Sequence, residues 1–380
     1  MYRRFSIEIP LALYYFFYFA LVGVYVIFMP KILLEFDYTK AQVGIIYAAA
    51  PFMRFLIPFV FRRFITLDSR VFVLSLVVSL FGTILFLLTI ENFWSYLIAN
   101  LFFGAAMGIS LPYVETIALH TLSKSRYGKV RLYGSIGFMV IALWLGKVLS
   151  SPYEALYYLI SMTFLTLIFG ATIIYYDQDT TMETTGDQEP FSLLRYPWFW
   201  VSVFLMQVSF GGFYNFFTIY ETSHGISLEM TSWMWSFGVL CEIAMLYFQG
   251  PLLRRNLLTI LEMAVFITVL RWLLLYLFPD SVTITFASQA LHAVSFALYH
   301  TAAISYVFTI YTQKKLAQQF FLGIAFGLGG SLGALLAGQI YGESMFLIES
   351  GIALLSLIAL ILHSRRKKNY IEEKESIDAN

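Results

Sequence analysis

Apolar runs long enough to cross a bilayer begin near residues 9, 42, 71, 94, 133, 155, 198, 229, 257, 283, 319 and 344 of this 380-residue chain. A helical span takes ~20 residues to cross ~30 Å of hydrocarbon. With 59% hydrophobic and 12% charged residues, the chain has too little polar surface for a soluble domain of its length. The alternation of a membrane β-barrel is absent from the runs. Each is therefore expected to be a helix, which satisfies its own backbone in lipid, giving an all-α polytopic membrane protein with about twelve transmembrane helices.

Lys and Arg fall on alternate connections. Arg3 and Arg4, Arg62, Arg63 and Arg70, Lys124 to Arg131, Arg195, Arg254 and Arg255, Lys314 and Lys315, and Arg365 to Lys368 mark one side, and Lys31, Lys40 and Lys147 are all the other side holds. Positive charge stays inside, so both termini are expected to be cytoplasmic and the chain to reside in the cytoplasmic (inner) membrane. The net charge of +1 gives no indication of a nucleic-acid partner. The first run lacks a small-residue cleavage site and reads as a span rather than a signal peptide. Cys241 is the only cysteine, so no internal disulfide is expected.

The stretch DQDTTMETTGDQEP (Asp177 to Pro190) separates six runs from six. The expected organisation is a six-helix bundle over 1–176, a cytoplasmic linker over 177–196, a second bundle over 197–364 and a cytoplasmic tail over 365–380. This is the plan of the major facilitator architecture, whose site lies near the midplane between two such halves. YGSIGF (Tyr133 to Phe138) and FGLGGSLGALLAG (Phe326 to Gly338) fall in corresponding runs, and their small residues are expected to let helices approach closely.

Five ionisable side chains, Arg54, Glu115, Glu242, Arg271 and His292, lie inside apolar runs. Such groups are costly at membrane depth and mark pathways for ions or substrates. Arg131, Ser135 and Phe138 share a helical face on which a cation, a hydroxyl and a ring could meet a ligand, although Arg131 also fits a plain interfacial anchor. Removal of water disfavours a charge on Glu242 and a nearby cation favours it, so its protonation can follow its surroundings. Arg271 is its expected partner, as a pathway pair or as a static ion pair locking two helices, and His292 could relay a proton or hydrogen-bond a substrate beside them. Arg54, between Pro51 and Pro58, reads as a gating or structural charge, with Glu115 one candidate partner. Tyr14, Tyr18, Tyr25 and Tyr214 either line a pocket or belong to interfacial belts. No metal cluster, phosphate loop or nucleophile triad is present in the sequence, so no metal, cofactor or enzymatic activity is expected.

Several strings carry a family resemblance: YGKVRLYGSIGF (Tyr127 to Phe138), MWSFGVLCE (Met234 to Glu242), LRW around Arg271, ALHAVSFALYH (Ala290 to His300) and MRFL around Arg54. The chain resembles the 3-phenylpropionate permease group of the major facilitator superfamily and, more distantly, the lactose permease type of oligosaccharide/proton symporter. That resemblance implies proton-coupled symport by alternating access. It implies substrate contact at Glu115, Arg131, Phe138, Glu242, Arg271 and His292, and proton coupling at Glu242, His292 and Arg271. Phe138 replaces a sugar-stacking tryptophan of the lactose type, and Ser295 replaces its protonating glutamate. The loop signature between the second and third runs is reduced to FRRFITLDSRV, with Asp68 and the basic residues kept.

The expectation is a monomeric carrier in the lipid bilayer that imports a small organic solute with protons, the solute being a carboxylate such as an aromatic acid. A sugar or nucleoside symporter is the second reading, and a non-transporting receptor on the same fold the third. A net positive cavity would favour the anion.

Overall fold

The computed structural model describes residues 2–64, 68–176 and 191–378, so the polar stretch Asp177 to Pro190 lies outside the described residues. Among the described residues the helices form twelve spans, nine of them long and apolar enough to cross a membrane. In chain order these are α1 (Ile7–Glu35), α2 (Lys40–Phe64), α3 (Ser69–Thr89), α4 (Phe93–Thr121), α5 (Lys124–Val148), α6 (Pro152–Ile173), α7a (Pro197–Val208), α7b (Gly211–Ser223), α8 (Leu228–Phe248), α9 (Leu257–Leu277), α10 (Val282–Ile310), α11 (Leu316–Ile340) and α12 (Met345–Asp378). The three spans outside the nine are α2, broken α7 and α8, and between them they carry Arg54, the helix break and Glu242.

Local chemistry sets where the spans start. The side chains of Asp68, Asn92, Ser227, Asn256 and Ser281 accept N–H bonds from the first turns of α3, α4, α8, α9 and α10, supplying partners that lipid cannot. Pro152 and Pro197 begin α6 and α7a, where a missing N–H costs nothing. Gly225, with φ of 81°, takes the left-handed turn between α7b and α8. Leu74, Leu88 and Trp94 are 60%, 72% and 70% exposed in mid-span or at a span's end, surface that only lipid tolerates.

Two bundles result. In the first, α1 packs on α5 and α6, α3 on α4 and α6, and α2 on α4; in the second, α12 packs on α7a and α9, and α10 on α8 and α9. The halves meet where α2 crosses α11, α5 crosses α8 and α1 meets α7b. At one end these crossings are sealed. A Cβ on Gly44 would stand 2.6 Å from the Ala334 carbonyl oxygen, and one on Gly338 would stand 2.8 Å from that of Lys40. Lys31 donates to Thr222 across the same end at 3.4 Å, and Lys40 lies over the Tyr341 ring. The small residues read from FGLGGSLGALLAG thus serve backbone-to-backbone packing, of the kind that joins helices where no hydrophobic force acts between them.

Gly338→Val is expected to lower stability by about 1–3 kcal/mol through overpacking, measured as a fall in the thermal unfolding midpoint in detergent. An unchanged midpoint would mean that α2 and α11 are not in this contact.

Candidate functional site

A cavity of about 280 Å³ lies between the bundles, lined from α1, α2, α4, both parts of α7, α10 and α11. This is close to the lower bound of the ~300–1,000 Å³ usual for small-molecule sites. Four departures from regular α-helix border it. Wide π turns at Val24–Phe28, Ala293–Leu298 and Gly323–Gly329 carry the lining residues Tyr25, Phe296 and Phe326, and the break between α7a and α7b carries Phe210. Irregular backbone is tolerated at membrane depth where it is buried in protein or faces a cavity, and π turns recur at functional sites.

Arg54 is the one charged residue lining the cavity, among the described residues. No carboxylate pairs with it there. Glu115, its candidate partner from sequence, is engaged elsewhere. Most of the cavity's hydroxyls are committed: Tyr18 donates to the Met107 carbonyl at 3.4 Å, Tyr25 to Asn100 Oδ1 at 2.9 Å, and Tyr47 to the Tyr25 carbonyl at 2.7 Å. The remaining walls are mainly aromatic, with Phe103, Phe210, Tyr214, Phe296 and Phe326. Tyr18, Tyr25 and Tyr214 therefore line a pocket, whereas Tyr14 is fully buried and stacks on Tyr18 at 5.6 Å.

The other sequence-derived residues fall outside the lining. In the first half, Arg131 Nε donates to Glu115 at 2.9 Å, Tyr127 donates to the second oxygen of Glu115, and the guanidinium covers the Phe19 ring at 4.2 Å. Phe138 meets Trp235 of the other half edge to face at 6.3 Å. In the second half Arg271 is fully buried. Its guanidinium donates to the Ser288 carbonyl at 3.0 Å, His292 Nδ1 at 2.9 Å, Ser295 Oγ at 3.3 Å and Gln289 Oε1 at 3.3 Å, and it stands 4.2 Å from the Phe213 ring centre.

This alters the expected Glu242 to Arg271 pairing. His292 stands between them: Arg271 always donates, so Nδ1 accepts, and Nε2 faces Glu242 at 3.9 Å. The neutral ring therefore carries its proton on Nε2. The π turn also alters the expected geometry of α10. His292, Phe296 and His300 stack in one column, with centres 5.1 and 6.2 Å apart, because the wider turn slows the helix rotation that separates the two histidines in a regular helix.

Two buried carboxylates were missed from sequence, Glu221 in α7b and Glu349 in α12. Each leaves one oxygen without a partner among the described residues. The rule that singled out Glu242 applies equally to them. Both lie nearer the ends of their apolar runs, where a carboxylate reads as interfacial. Gln207 and Asn215, polar residues of the lining, are also not distinguished by any sequence pattern.

Two packed helical bundles with a central cavity and buried charges define a membrane transporter of the major facilitator kind. A family model described as the MFS_1 like family matches residues 9–348, and the chain belongs to that family. It is 27% identical over 377 residues to a probable 3-phenylpropionic acid transporter of Escherichia coli (strain K12), covering 93% of this chain and 97% of the relative. Among solved structures, the nucleoside transporter NupG superposes with a TM-score of 0.79 at 17% identity, covering 94% of this chain and 98% of that one. PepTSo, of the POT family, superposes with a TM-score of 0.74 at 11% identity, covering 96% and 98%. At these identities the two structures share the fold.

Arg271→Lys replaces a four-acceptor fork by a point charge. It is expected to cost about 1–3 kcal/mol for the buried acceptors left unpaired, measured by thermal unfolding in detergent. A variant as stable as wild type would contradict the buried fork.

Proposed function

We propose that this transporter carries a small aromatic carboxylate together with protons. The observation that carries this reading is Arg54, a cation without a carboxylate partner among the described residues, facing a cavity walled by aromatic rings. A guanidinium binds a carboxylate through paired N–H bonds, and the rings accept an apolar body. The E. coli relative, whose description names an aromatic acid, supports the same class. A sugar or nucleoside has less to bind: no carboxylate lines the cavity among the described residues, and most lining hydroxyls are already used.

In this reading the end bearing Lys31 and Lys40 faces outward, so the described state is sealed to the outside. Glu242, 24% exposed at its side chain, exchanges the coupling proton with water, and His292 and Arg271 transmit its charge state to the cavity wall. His292 and Phe210, a lining residue, are 6.4 Å apart between ring centres. Glu115 and Arg131 form the corresponding charge pair of the first half, and Phe138 against Trp235 joins the halves beside them. Contact of these residues with substrate requires the halves to move from the described state.

Charge-assisted hydrogen bonds are worth about 1.5–3 kcal/mol. Arg54→Gln is therefore expected to weaken binding of 3-phenylpropionate by roughly 10- to 100-fold while leaving weak binding of its uncharged amide unchanged, measured by calorimetry on purified protein. Equal loss for acid and amide would remove Arg54 as the anion's anchor. Separately, Glu242→Gln is expected to abolish accumulation driven by a proton gradient and to spare exchange in proteoliposomes. Persistent accumulation would place the coupling proton on another group.

A further inference from the structure

We propose that Glu349 is a second proton-binding site, one that latches the break in α7 in its ionised form and releases it when protonated. The inference rests on the proton-coupled reading above and adds a residue and a moving part to it.

The break offers the latch a partner. After Val208 the chain leaves the helix for two residues, and α7b restarts at Gly211. The first N–H groups of a helix have no partner within it and carry its positive end. One of them, that of Gly212, donates to Glu349 Oε1. Both carboxylate oxygens lie against this residue, for a Cβ on Gly212 would stand 2.7 Å from Oε1 and 2.9 Å from Oε2. Glu349 is 1% exposed, and Oε2 has no hydrogen-bond partner among the described residues. One bond is little compensation for a buried carboxylate. A proton has an open place to bind, on Oε2.

The surroundings connect this carboxylate to the rest of the machinery. Arg271 on α9 and Tyr214 on α7b, two residues after Gly212, are ionisable groups of the elements packed against α12. In sequence the neighbouring ionisable groups are Glu343, just before α12, and His363 on it, each more than a turn away. Trp272, next to Arg271, donates to Ser209 in the break at 3.4 Å and stacks on Phe346, one turn before Glu349, at 5.7 Å. Ser350 donates to the Val269 carbonyl at 2.9 Å, holding α12 against α9. On the other face of the break, Phe210, Gly211 and Tyr214 line the cavity. Neutralising Glu349 turns a charge-assisted bond at the helix start into an ordinary one and loosens the segment that the substrate touches.

The test is the pH profile of exchange. Labelled 3-phenylpropionate is exchanged between equal inside and outside pools in proteoliposomes of wild type, Glu349→Gln and Gly212→Ala. Wild type is expected to slow roughly tenfold per pH unit on the alkaline limb, as one titrating carboxylate requires. Glu349→Gln fixes the neutral form, so its rate is expected to stay high and vary less than about twofold over that range. A cap that only holds the helix predicts otherwise: Gln accepts the same N–H bond, and the profile would follow wild type, overturning the latch. Gly212→Ala keeps the carboxylate but pushes it off the helix start. Losing the favourable end of the helix makes the proton easier to bind, so the alkaline limb should move to higher pH, and an unmoved limb overturns the latch even where Glu349→Gln does not fold. Substrate-linked proton uptake by wild type is recorded in the same vesicles. If it is present while Glu349→Gln keeps the wild-type profile, the latch alone fails. If it is absent, proton coupling fails and takes the latch with it.

Discussion

A bilayer offers a polypeptide backbone no hydrogen-bond partner, and the architecture of this transporter follows from how it meets that constraint. Most spans are regular helices that satisfy themselves. The π turns in α1, α10 and α11 and the break in α7 all adjoin the central cavity, away from lipid. The same places carry the aromatic lining. Irregular backbone and candidate binding surface therefore coincide, and the elements best able to change shape are those a solute would touch.

Charge follows a parallel logic. Partly exposed Arg131 has Glu115, and buried Arg271 has four acceptors and aromatic faces, so the cation of each network is compensated inside the protein. Arg54 differs: the cavity brings it no carboxylate among the described residues. An arginine keeps its charge throughout. An anionic solute would supply a carboxylate partner, which is what supports the proposed preference for a carboxylate.

Much of the fold was legible in the sequence because lipid imposes long apolar runs, and a run of that length has few alternative structures. The starts expected near residues 71, 94, 257 and 283 fall within two residues of the observed helix starts Ser69, Phe93, Leu257 and Val282. The site was legible in composition and less so in geometry. Glu242, His292 and Arg271 do converge, but regular helical spacing could not place His292 between the other two or bring His300 onto its column, since the π turn of α10 leaves no mark in the sequence. Arg54 was read as a gating or structural charge because its lack of a partner is a fact of tertiary packing. Glu349 was overlooked for a related reason. Its role depends on a break in a different helix, and neither Ser209 nor Phe210 is an obvious helix breaker.

The most direct test of the whole account is proton movement on adding solute to sealed proteoliposomes, with aromatic carboxylates compared against sugars and nucleosides. Alkalinisation outside the vesicles, triggered by the aromatic carboxylates and absent with the neutral solutes, is the result the account predicts. Saturable binding of those carboxylates with no flux of solute or protons, or proton movement driven by a neutral sugar or nucleoside instead, would contradict it.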